Sequence, residues 1–334
     1  MVGILTHEKI KQRKKEIEVK ALVALLNQEV NPSMRIDASI RLYEIAFPDK
    51  LAKKIRKQGK KTLKEIMDDP ELKEKLWKDT IHRNRRDKAV YPSPCDVFEA
   101  NRINTGAIVF FKASTAKYIY KMFNAKDVLD PTMGWGGRLL GALSSNRNIH
   151  YVGTDVNTNN IGCYENLGEF YNKNCNGTNT YEIYYEPAEL IHKNKSFQKY
   201  KGEISLCITS PPYFGREIYS LDKEQSCIKF SNYHDWLDGY YEPMIKNCYD
   251  YLKPRGHLVL NVADTKMSDQ SYIPLEQHTI ELAVKQGFTY LGNIPMVMSR
   301  MIGVKTDKVK NNYFDGSSNK IYKTEPTLCF IKEK

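Results

Sequence analysis

The amino-acid sequence predicts an α/β fold in which a doubly wound sheet follows an N-terminal helical appendage. Three observations lead to this prediction. Short apolar runs that end in a polar or acidic residue alternate with helix-like segments, which is the pattern of parallel strands with crossover helices. A glycine-rich turn, residues 134–137, follows the first of these runs directly. Residues 1–90 instead show helical spacing of apolar residues between many basic ones.

The first strand–turn–helix unit covers residues 127–143. Residues 127–130 read as a short buried strand that ends at Asp130, and an apolar helix begins at Arg138. The glycines between them allow a nucleotide to approach the backbone at the carboxyl edge of the sheet. Their spacing is Asp-x-x-x-Gly-x-Gly, whereas dinucleotide enzymes carry Gly-x-Gly-x-x-Gly. The difference favours a nucleotide cofactor that lacks a pyrophosphate.

Two further strands also end in carboxylates. Residues 149–154 lead to Asp155, a helix is predicted over 158–171, and residues 181–185 lead to Glu186. An acidic side chain at the end of the second strand is placed to accept hydrogen bonds from the two hydroxyls of a ribose. The order of the three carboxylates therefore indicates a nucleotide site along one edge of the sheet.

A fourth apolar run, residues 204–208, enters the turn Thr209-Ser210-Pro211-Pro212-Tyr213. Two consecutive prolines donate no backbone hydrogen bonds and hold the chain in a stiff, extended turn. The turn thus presents hydrogen-bond acceptors and one aromatic face at a fixed point, as needed to accept an exocyclic amino group while stacking on its ring. Alternatively, the proline pair only ends a strand and Tyr213 packs in the core.

Together, Asp130-Pro131-x-x-Gly134-x-Gly136 and the turn 209–213 resemble the motifs of the S-adenosylmethionine-dependent amino-methyltransferases of DNA, which make N4-methylcytosine or N6-methyladenine. The segment 110–123 is similar to that family's additional cofactor motif. The resemblance covers roughly residues 91–334 and implies a Rossmann-like methyltransferase sheet of mixed strands whose last strand is antiparallel. One departure is Gly137-Arg138, where many members have a Thr shortly after the second glycine.

The resemblance implies S-adenosyl-L-methionine as the cofactor and DNA as the partner. The implied cofactor-binding residues are Phe110, Phe111, Asp130, Gly134, Gly136, Asp155 and Glu186. The implied catalytic residues are Ser210, Pro211, Pro212 and Tyr213. Within the first set, Asp130 and the glycine turn would face the methionine part of the cofactor, Asp155 the ribose, and Glu186 or its neighbours the adenine amino group.

The acceptor base stays open between cytosine N4 and adenine N6. A Ser in the leading position with a Thr before it leans toward DNA enzymes and slightly toward cytosine. Two other functions remain as alternatives: methylation of a base amino group in RNA, and a catalytically silent fold that only binds nucleic acid. The intact motifs argue against the silent fold, because a binding module would not need them.

The net charge of +11 is uneven along the chain. Residues 1–90 carry 23 Lys and Arg against 14 Asp and Glu, whereas the remainder carries 28 against 26. A cluster of basic residues, which we call the basic cluster, precedes a linker at 92–94; its members are Arg83, Arg85, Arg86 and Lys88. We therefore divide the chain into a basic helical region, 1–90, and a methyltransferase domain, 91–334. The basic region is a candidate for contacts with phosphates, or else a solvated helical face.

The remaining predicted elements complete the domain. Helices are predicted over 8–29, 36–58, 62–79, 233–252 and 273–286, and strands over 257–262, 288–295 and 326–331. The segment 214–231 is predicted to be a functional loop beside the site. The segment 298–323 is either a target-recognition loop or a flexible surface hairpin.

Composition limits the classes of protein to consider. The sequence has no stretch of about 18 apolar residues and no apolar signal-peptide region, so we expect a soluble, intracellular protein, cytoplasmic or wherever its DNA resides. Its seven scattered cysteines include no Cys-x-x-Cys pair, which favours reduced thiols. No cluster of metal ligands is visible, so no metal is predicted.

Overall fold

The computed structural model describes residues 69–83, 111–145, 147–174, 178–215, 223–266, 272–298, 312–315 and 320–334. Several predictions lie outside the described residues: the helices over 8–29 and 36–58, the start of the helix over 62–79, the basic cluster apart from Arg83, the linker at 92–94, and Phe110 of the implied cofactor motif. Residues 216–222 of the predicted loop 214–231, and residues 299–311 and 316–319 of the segment 298–323, lie outside them as well. The division at residue 90 also stays a prediction.

A mixed sheet forms the centre of the molecule. Its strands are β1 Asp127–Asp130, β2 His150–Thr154, β3 Thr180–Tyr184, β4 Ile204–Thr209, β5 Leu252–Asn261, β8 Phe288–Val297, β9 Asn312–Asp315 and β10 Lys320–Lys332. The order is β3-β2-β1-β4-β5-β10-β8, and β9 pairs with β10. Two short strands, β6 Thr265–Lys266 and β7 Tyr272–Ile273, pair separately. The order reverses between β1 and β4, where doubly wound sheets bind their ligands.

The pairing confirms the predicted sheet type. Strands β1 to β5 are mutually parallel, and β10 runs antiparallel to both of its long neighbours, β5 and β8. This is the mixed α/β sheet with an antiparallel last strand that the sequence predicts. The last strand is longer than predicted, because its first half, from Lys320, pairs with β9 and the end of β8.

Successive residues of the central strands enter two different cores, so helices cover both faces of the sheet. Val128 and Leu206 belong to one core cluster, whereas Leu129 and Cys207 belong to the other, and all four are fully buried. Side chains alternate between the two faces of a strand, and a parallel sheet must be covered on both. The continuous apolar runs in the sequence have this physical cause.

The helices are α1 Pro70–Arg83, α2 Ala113–Met122, α3 Gly137–Leu143, α4 Ile161–Asn174, α5 Ser226–Lys229, α6 Tyr233–Trp236, α7 Glu242–Tyr251 and α8 Leu275–Lys285. The helix α1 extends beyond the predicted end at residue 79. Asp69 Oδ1 accepts hydrogen bonds from the backbone N–H groups of Glu71 and Leu72, each at 3.2 Å, which satisfies two free donors of its first turn.

Two predicted elements differ in detail from the structure. The single helix predicted over 233–252 contains a π-helical turn, Leu237–Tyr241, between α6 and α7. The strand predicted to start at residue 257 begins at Leu252, and Arg255 within it has φ +64°. The pairing of β5 with β4 shifts register at this point, so the predicted Pro-Arg-Gly turn is an irregularity inside the strand.

Candidate active site

A cavity of about 240 Å³ opens at the carboxyl ends of the parallel strands. Residues that follow β1, β2, β3 and β4 all line it, and side chains of β5, β8 and β10 close its other side. Of the predicted site residues, the lining includes Phe111, Gly134, Asp155, Glu186, Ser210, Pro212 and Tyr213. The structure therefore brings the predicted nucleotide site and the Pro-Pro-Tyr turn to one cavity.

The glycine turn needs two residues without side chains. Gly134 has φ +56° and Gly136 has φ +77°, a left-handed backbone conformation that glycine adopts without strain. A side chain at position 134 would meet only the Thr132 carbonyl oxygen, at 3.9 Å, so this glycine faces open space in the cavity wall. Gly136 lies behind the wall, against Tyr164.

Asp155 holds the glycine turn in place. One carboxylate oxygen accepts the Gly134 N–H at 2.7 Å, and the other accepts the Asn157 N–H at 2.8 Å. Burial raises the pKa of Asp155 to about 6, and the two backbone hydrogen bonds act in the opposite direction. A carboxylate in this position can still accept hydrogen bonds from hydroxyl groups in the cavity, because each oxygen has a further lone pair.

Asp130 does not lie where it could face the methionine part of a cofactor in the cavity, which is its implied role. Its side chain is fully buried beneath the cavity wall and does not line the cavity. Arg138 donates to it from Nε at 2.7 Å and from Nη2 at 3.1 Å, and the Tyr151 hydroxyl donates at 2.5 Å. Asp130 thus contacts Arg138, which does line the cavity, instead of a group within it.

The Pro-Pro-Tyr turn leaves β4 at the cavity. Ser210, Pro212 and Tyr213 line the cavity, whereas the side chain of Pro211 is buried outside it. Tyr213 also packs at the edge of the core cluster that contains Leu129 and Cys207, and the Cys227 thiol lies 3.6 Å from the Tyr213 carbonyl oxygen. Tyr213 is only partly buried: it packs against the core and also lines the cavity, and its stacking on a base stays a prediction.

One aromatic residue, Phe111, and one acidic residue, Glu186, complete the predicted set. Phe111 packs over the Arg138 guanidinium, with 5.0 Å between the guanidinium carbon and the ring centroid. Glu186 accepts a hydrogen bond from the Asn194 amide at 3.0 Å and keeps a place in the cavity wall.

Several cavity residues were not predicted from the sequence. Besides Arg138, they include Glu189, Tyr240, Asn261 and Glu325. Glu189 is buried and forms an ion pair with Lys229 at 3.0 Å, while the buried Tyr240 hydroxyl has no hydrogen-bond partner among the described residues. Only Arg138 had a visible signal in the sequence, as the departure after the second glycine.

Asn261 and Glu325 form the cavity wall beyond the Pro-Pro-Tyr turn. Thr209 is in register with Leu260, so Asn261 and Ser210 leave their strands side by side. The Asn261 amide nitrogen donates to the Pro326 carbonyl at 3.1 Å. Burial raises the pKa of Glu325, and two lysines nearby act against this shift.

Among the described residues, no group of three or more His, Cys, Asp or Glu side chains is arranged to hold a metal ion. None of the helices that the structure describes has the length and apolar character needed to span a membrane.

Solved structures show only distant similarity to the chain. TrmN from Thermus thermophilus is 13% identical over 66% of this chain and 48% of its own, with a TM-score of 0.39. A candidate DNA modification methylase, also from Thermus thermophilus, is 21% identical over 44% and 51%, with a TM-score of 0.29, and has been solved in complex with S-adenosyl-L-methionine as well. The chain therefore spans about half the length of these two structures.

A third structure, an S-adenosylmethionine-dependent O-methyltransferase from Thermotoga maritima, is 10% identical over 70% of each chain, with a TM-score of 0.35. At these TM-scores, no role of this chain is inferred from the three structures. No curated protein sequence matches the chain.

The family comparison concerns the carboxyl-terminal part of the chain. Residues 204–334 match the N6/N4 methyltransferase family model, described as DNA methylase. The matched residues begin with β4 and include the Pro-Pro-Tyr turn, β5, β8 and β10. Over residues 204–334 the chain is similar to the N6/N4 DNA methylase family.

Proposed function

We propose that the protein transfers a methyl group from S-adenosyl-L-methionine to the exocyclic amino group of a base in DNA, either cytosine N4 or adenine N6. One observation carries the proposal: Asp155 and the glycine turn share a single cavity with Ser210, Pro212 and Tyr213. The family match over residues 204–334 supports the same chemistry.

The residues around the glycine turn fit the proposed cofactor. Gly134 leaves space at the wall, and Asp155 offers acceptors for ribose hydroxyls. Glu186 would meet the adenine amino group, and Phe111 would pack along the cofactor's far side. Asp130 and Gly136 would act from behind the wall, by shaping the turn. When bound, S-adenosyl-L-methionine supplies a methyl group activated by a positively charged sulfur.

The Pro-Pro-Tyr turn would hold the acceptor. The Ser210 hydroxyl and the Pro211 carbonyl would accept hydrogen bonds from the exocyclic amino group, so that the nitrogen lone pair is directed toward the methyl group. Tyr213 would stack on the ring of the base. Positioning and local electrostatics would supply most of the rate enhancement, and no covalent enzyme intermediate is required.

A base inside a duplex cannot reach this cavity. The target must be flipped out of the helix, at a cost of a few kcal/mol, or be single-stranded already. The protein would offset this cost through contacts with the DNA backbone, for which the basic residues 1–90 are the proposed source.

The proposed reaction is tested by incubating the protein and S-adenosyl-L-methionine with a mixed pool of DNA and RNA and identifying the modified nucleoside by mass spectrometry. We expect N4-methyldeoxycytidine or N6-methyldeoxyadenosine. Methylated ribonucleosides alone would point to an RNA enzyme. Calorimetry that detects no cofactor binding would instead indicate a catalytically silent fold.

The site assignment predicts that Tyr213→Ala and Asp155→Ala each lower methyl transfer at least about 100-fold while the fold is retained. Transfer of a tritiated methyl group to DNA measures the activity, and circular dichroism checks the fold. Tyr118→Ala is a matched control, because Tyr118 is 55% exposed and does not line the cavity. Full activity of both site variants would refute the assignment.

A further inference from the structure

The buried Arg138 makes contacts in the site beyond its ion pair with Asp130. Its side chain is 4% exposed, and that of Asp130 is not exposed at all. Removing two charges from water costs several kcal/mol for each ion, and good geometry only roughly offsets this cost. A buried ion pair is therefore weak evidence of a purely stabilising role, and the other contacts of Arg138 need an explanation.

Those contacts reach from the cofactor side of the cavity to the acceptor side. Arg138 Nη2 donates to the Thr132 carbonyl and lies 3.5 Å from Thr209 Oγ1. The hydroxyls of Thr132 and Thr209 are hydrogen-bonded at 2.5 Å, and the Thr132 hydroxyl lies 3.5 Å from the Ser210 carbonyl oxygen. We call Asp130, Thr132, Arg138 and Thr209 the inter-loop bridge.

The bridge begins where the backbone pairing of the two strands ends. The register of β1 with β4 runs through Val128–Leu206 and Leu129–Cys207 and stops there. Beyond this point, side chains of the bridge connect the glycine turn to the Pro-Pro-Tyr turn. Thr209 is fully buried and does not line the cavity, so it contacts neither proposed ligand directly.

We propose that Arg138 is a positioning residue that sets the distance between the cofactor turn and the acceptor turn, and that it acts through Thr209. This inference rests on the proposed function and deepens it. The guanidinium group is planar and forms several hydrogen bonds in fixed directions, so it can orient Asp130, Thr132 and Thr209 at once. A displacement of about 1 Å between reacting groups can cost roughly 100-fold in rate.

The decisive variant is Thr209→Val, which removes the bridging hydroxyl, conserves volume and leaves the Arg138–Asp130 ion pair intact. We expect kcat for DNA methylation to fall roughly 10- to 100-fold, while cofactor affinity measured by calorimetry changes less than about twofold. Thr209→Ser retains the hydroxyl and should restore most of kcat. If Thr209 contributed only to stability, its substitution would not lower kcat while leaving cofactor affinity nearly unchanged.

Thr279→Val is the matched control. Thr279 is also fully buried, and its hydroxyl donates to the Leu275 carbonyl at 2.6 Å, but it does not line the cavity or contact the bridge. We expect a comparable change in melting temperature and an unchanged kcat. An equal loss of kcat in the control would attribute the effect to stability and overturn the proposal.

A double-mutant comparison tests Arg138 itself. Arg138→Lys keeps the charge but loses the planar set of donors. If Arg138 acts through Thr209, adding Arg138→Lys to Thr209→Val should lower kcat little further. If the two substitutions lower kcat by fully multiplicative factors, the proposal is overturned. If Arg138→Lys fails to fold, a Thr209→Val variant as active as the wild type would still overturn it. A wild-type protein that methylates no nucleic acid would instead reject the proposed function, and this role with it.

Discussion

The Asp155 carboxylate holds the glycine turn and also faces the proposed cofactor site. Its oxygens accept the backbone N–H groups of Gly134 and Asn157, and the same group is the proposed acceptor for the ribose of the cofactor. Burial raises its pKa from the ordinary 3.8 to about 6. The pKa is raised only in the folded state. Above about pH 6 the ionised carboxylate therefore lowers the free energy of unfolding, and this destabilisation disappears as the pH falls below 6.

We therefore predict that cofactor affinity decreases as the pH falls through 6. Only the ionised carboxylate accepts hydrogen bonds at both oxygens, so the Kd should rise about tenfold between pH 8 and pH 5. Isothermal titration with S-adenosyl-L-methionine at several pH values measures this change. The Asp155→Asn variant should bind weakly with a flat profile, and a wild-type Kd that is the same at pH 5 and pH 8 would contradict the prediction.

At the scale of elements, two helices approach each other through glycines. A Cβ added at Gly137 would lie 2.1 Å from the Phe111 carbonyl oxygen, and one added at Gly141 would lie 2.8 Å from the Ala113 carbonyl oxygen. These contacts bring the start of α2 against α3, immediately behind the glycine turn. The departure from the family pattern at Gly137 therefore has a packing cause, because any larger residue would separate the two segments.

We predict that Gly137→Ala destabilises the protein by about 1–3 kcal/mol, since the clash involves the backbone and cannot be relieved by a side-chain rotation. Denaturant unfolding measures the free energy. Gly162→Ala is the control: it lies in α4 with nothing within 4 Å of an added Cβ, so it should stabilise the helix by roughly 0.5–1 kcal/mol. Equal effects of the two substitutions would exclude the packing explanation.

At the scale of the whole molecule, charge and chemistry are separated along the chain. The excess of positive charge is +9 in residues 1–90 and +2 in the remainder, which contains the cavity. Electrostatic attraction to phosphates does not depend on sequence and weakens steeply with salt. We propose that residues 1–90 contact the DNA backbone and that the remainder carries out the proposed methyl transfer.

Replacing the four residues of the basic cluster by Gln in the full-length chain should weaken DNA binding at low salt and leave cofactor binding unchanged. Each phosphate contact that is lost should reduce the slope of log K against log salt by about 0.9. Fluorescence anisotropy with a labelled duplex at several salt concentrations measures both quantities. An unchanged slope would show that the basic cluster does not contact phosphates.

Much of the fold was predictable because its local signals agree with its tertiary structure. Strands β1, β2 and β4 are short apolar runs that end in polar residues, and the sheet buries them on both faces. The first half of β10 lies in the segment 298–323, for which the sequence left a loop and a surface hairpin open. It pairs antiparallel with β9, as in a hairpin, and with the end of β8, and its sequence has no apolar alternation of its own. Such a strand depends on its neighbours and not on local propensity.

The order of residues already places several groups at the carboxyl edge of the sheet, because the glycine turn, Asp155, Glu186 and the Pro-Pro-Tyr turn directly follow parallel strands. Which of these groups line the cavity depends on how the elements pack. Asp130 lies beneath the wall because Arg138, eight residues later, neutralises it, and Asn261 and Glu325 reach the cavity through strand pairings distant in sequence. Contacts of this kind depend on packing between elements, which no local pattern encodes.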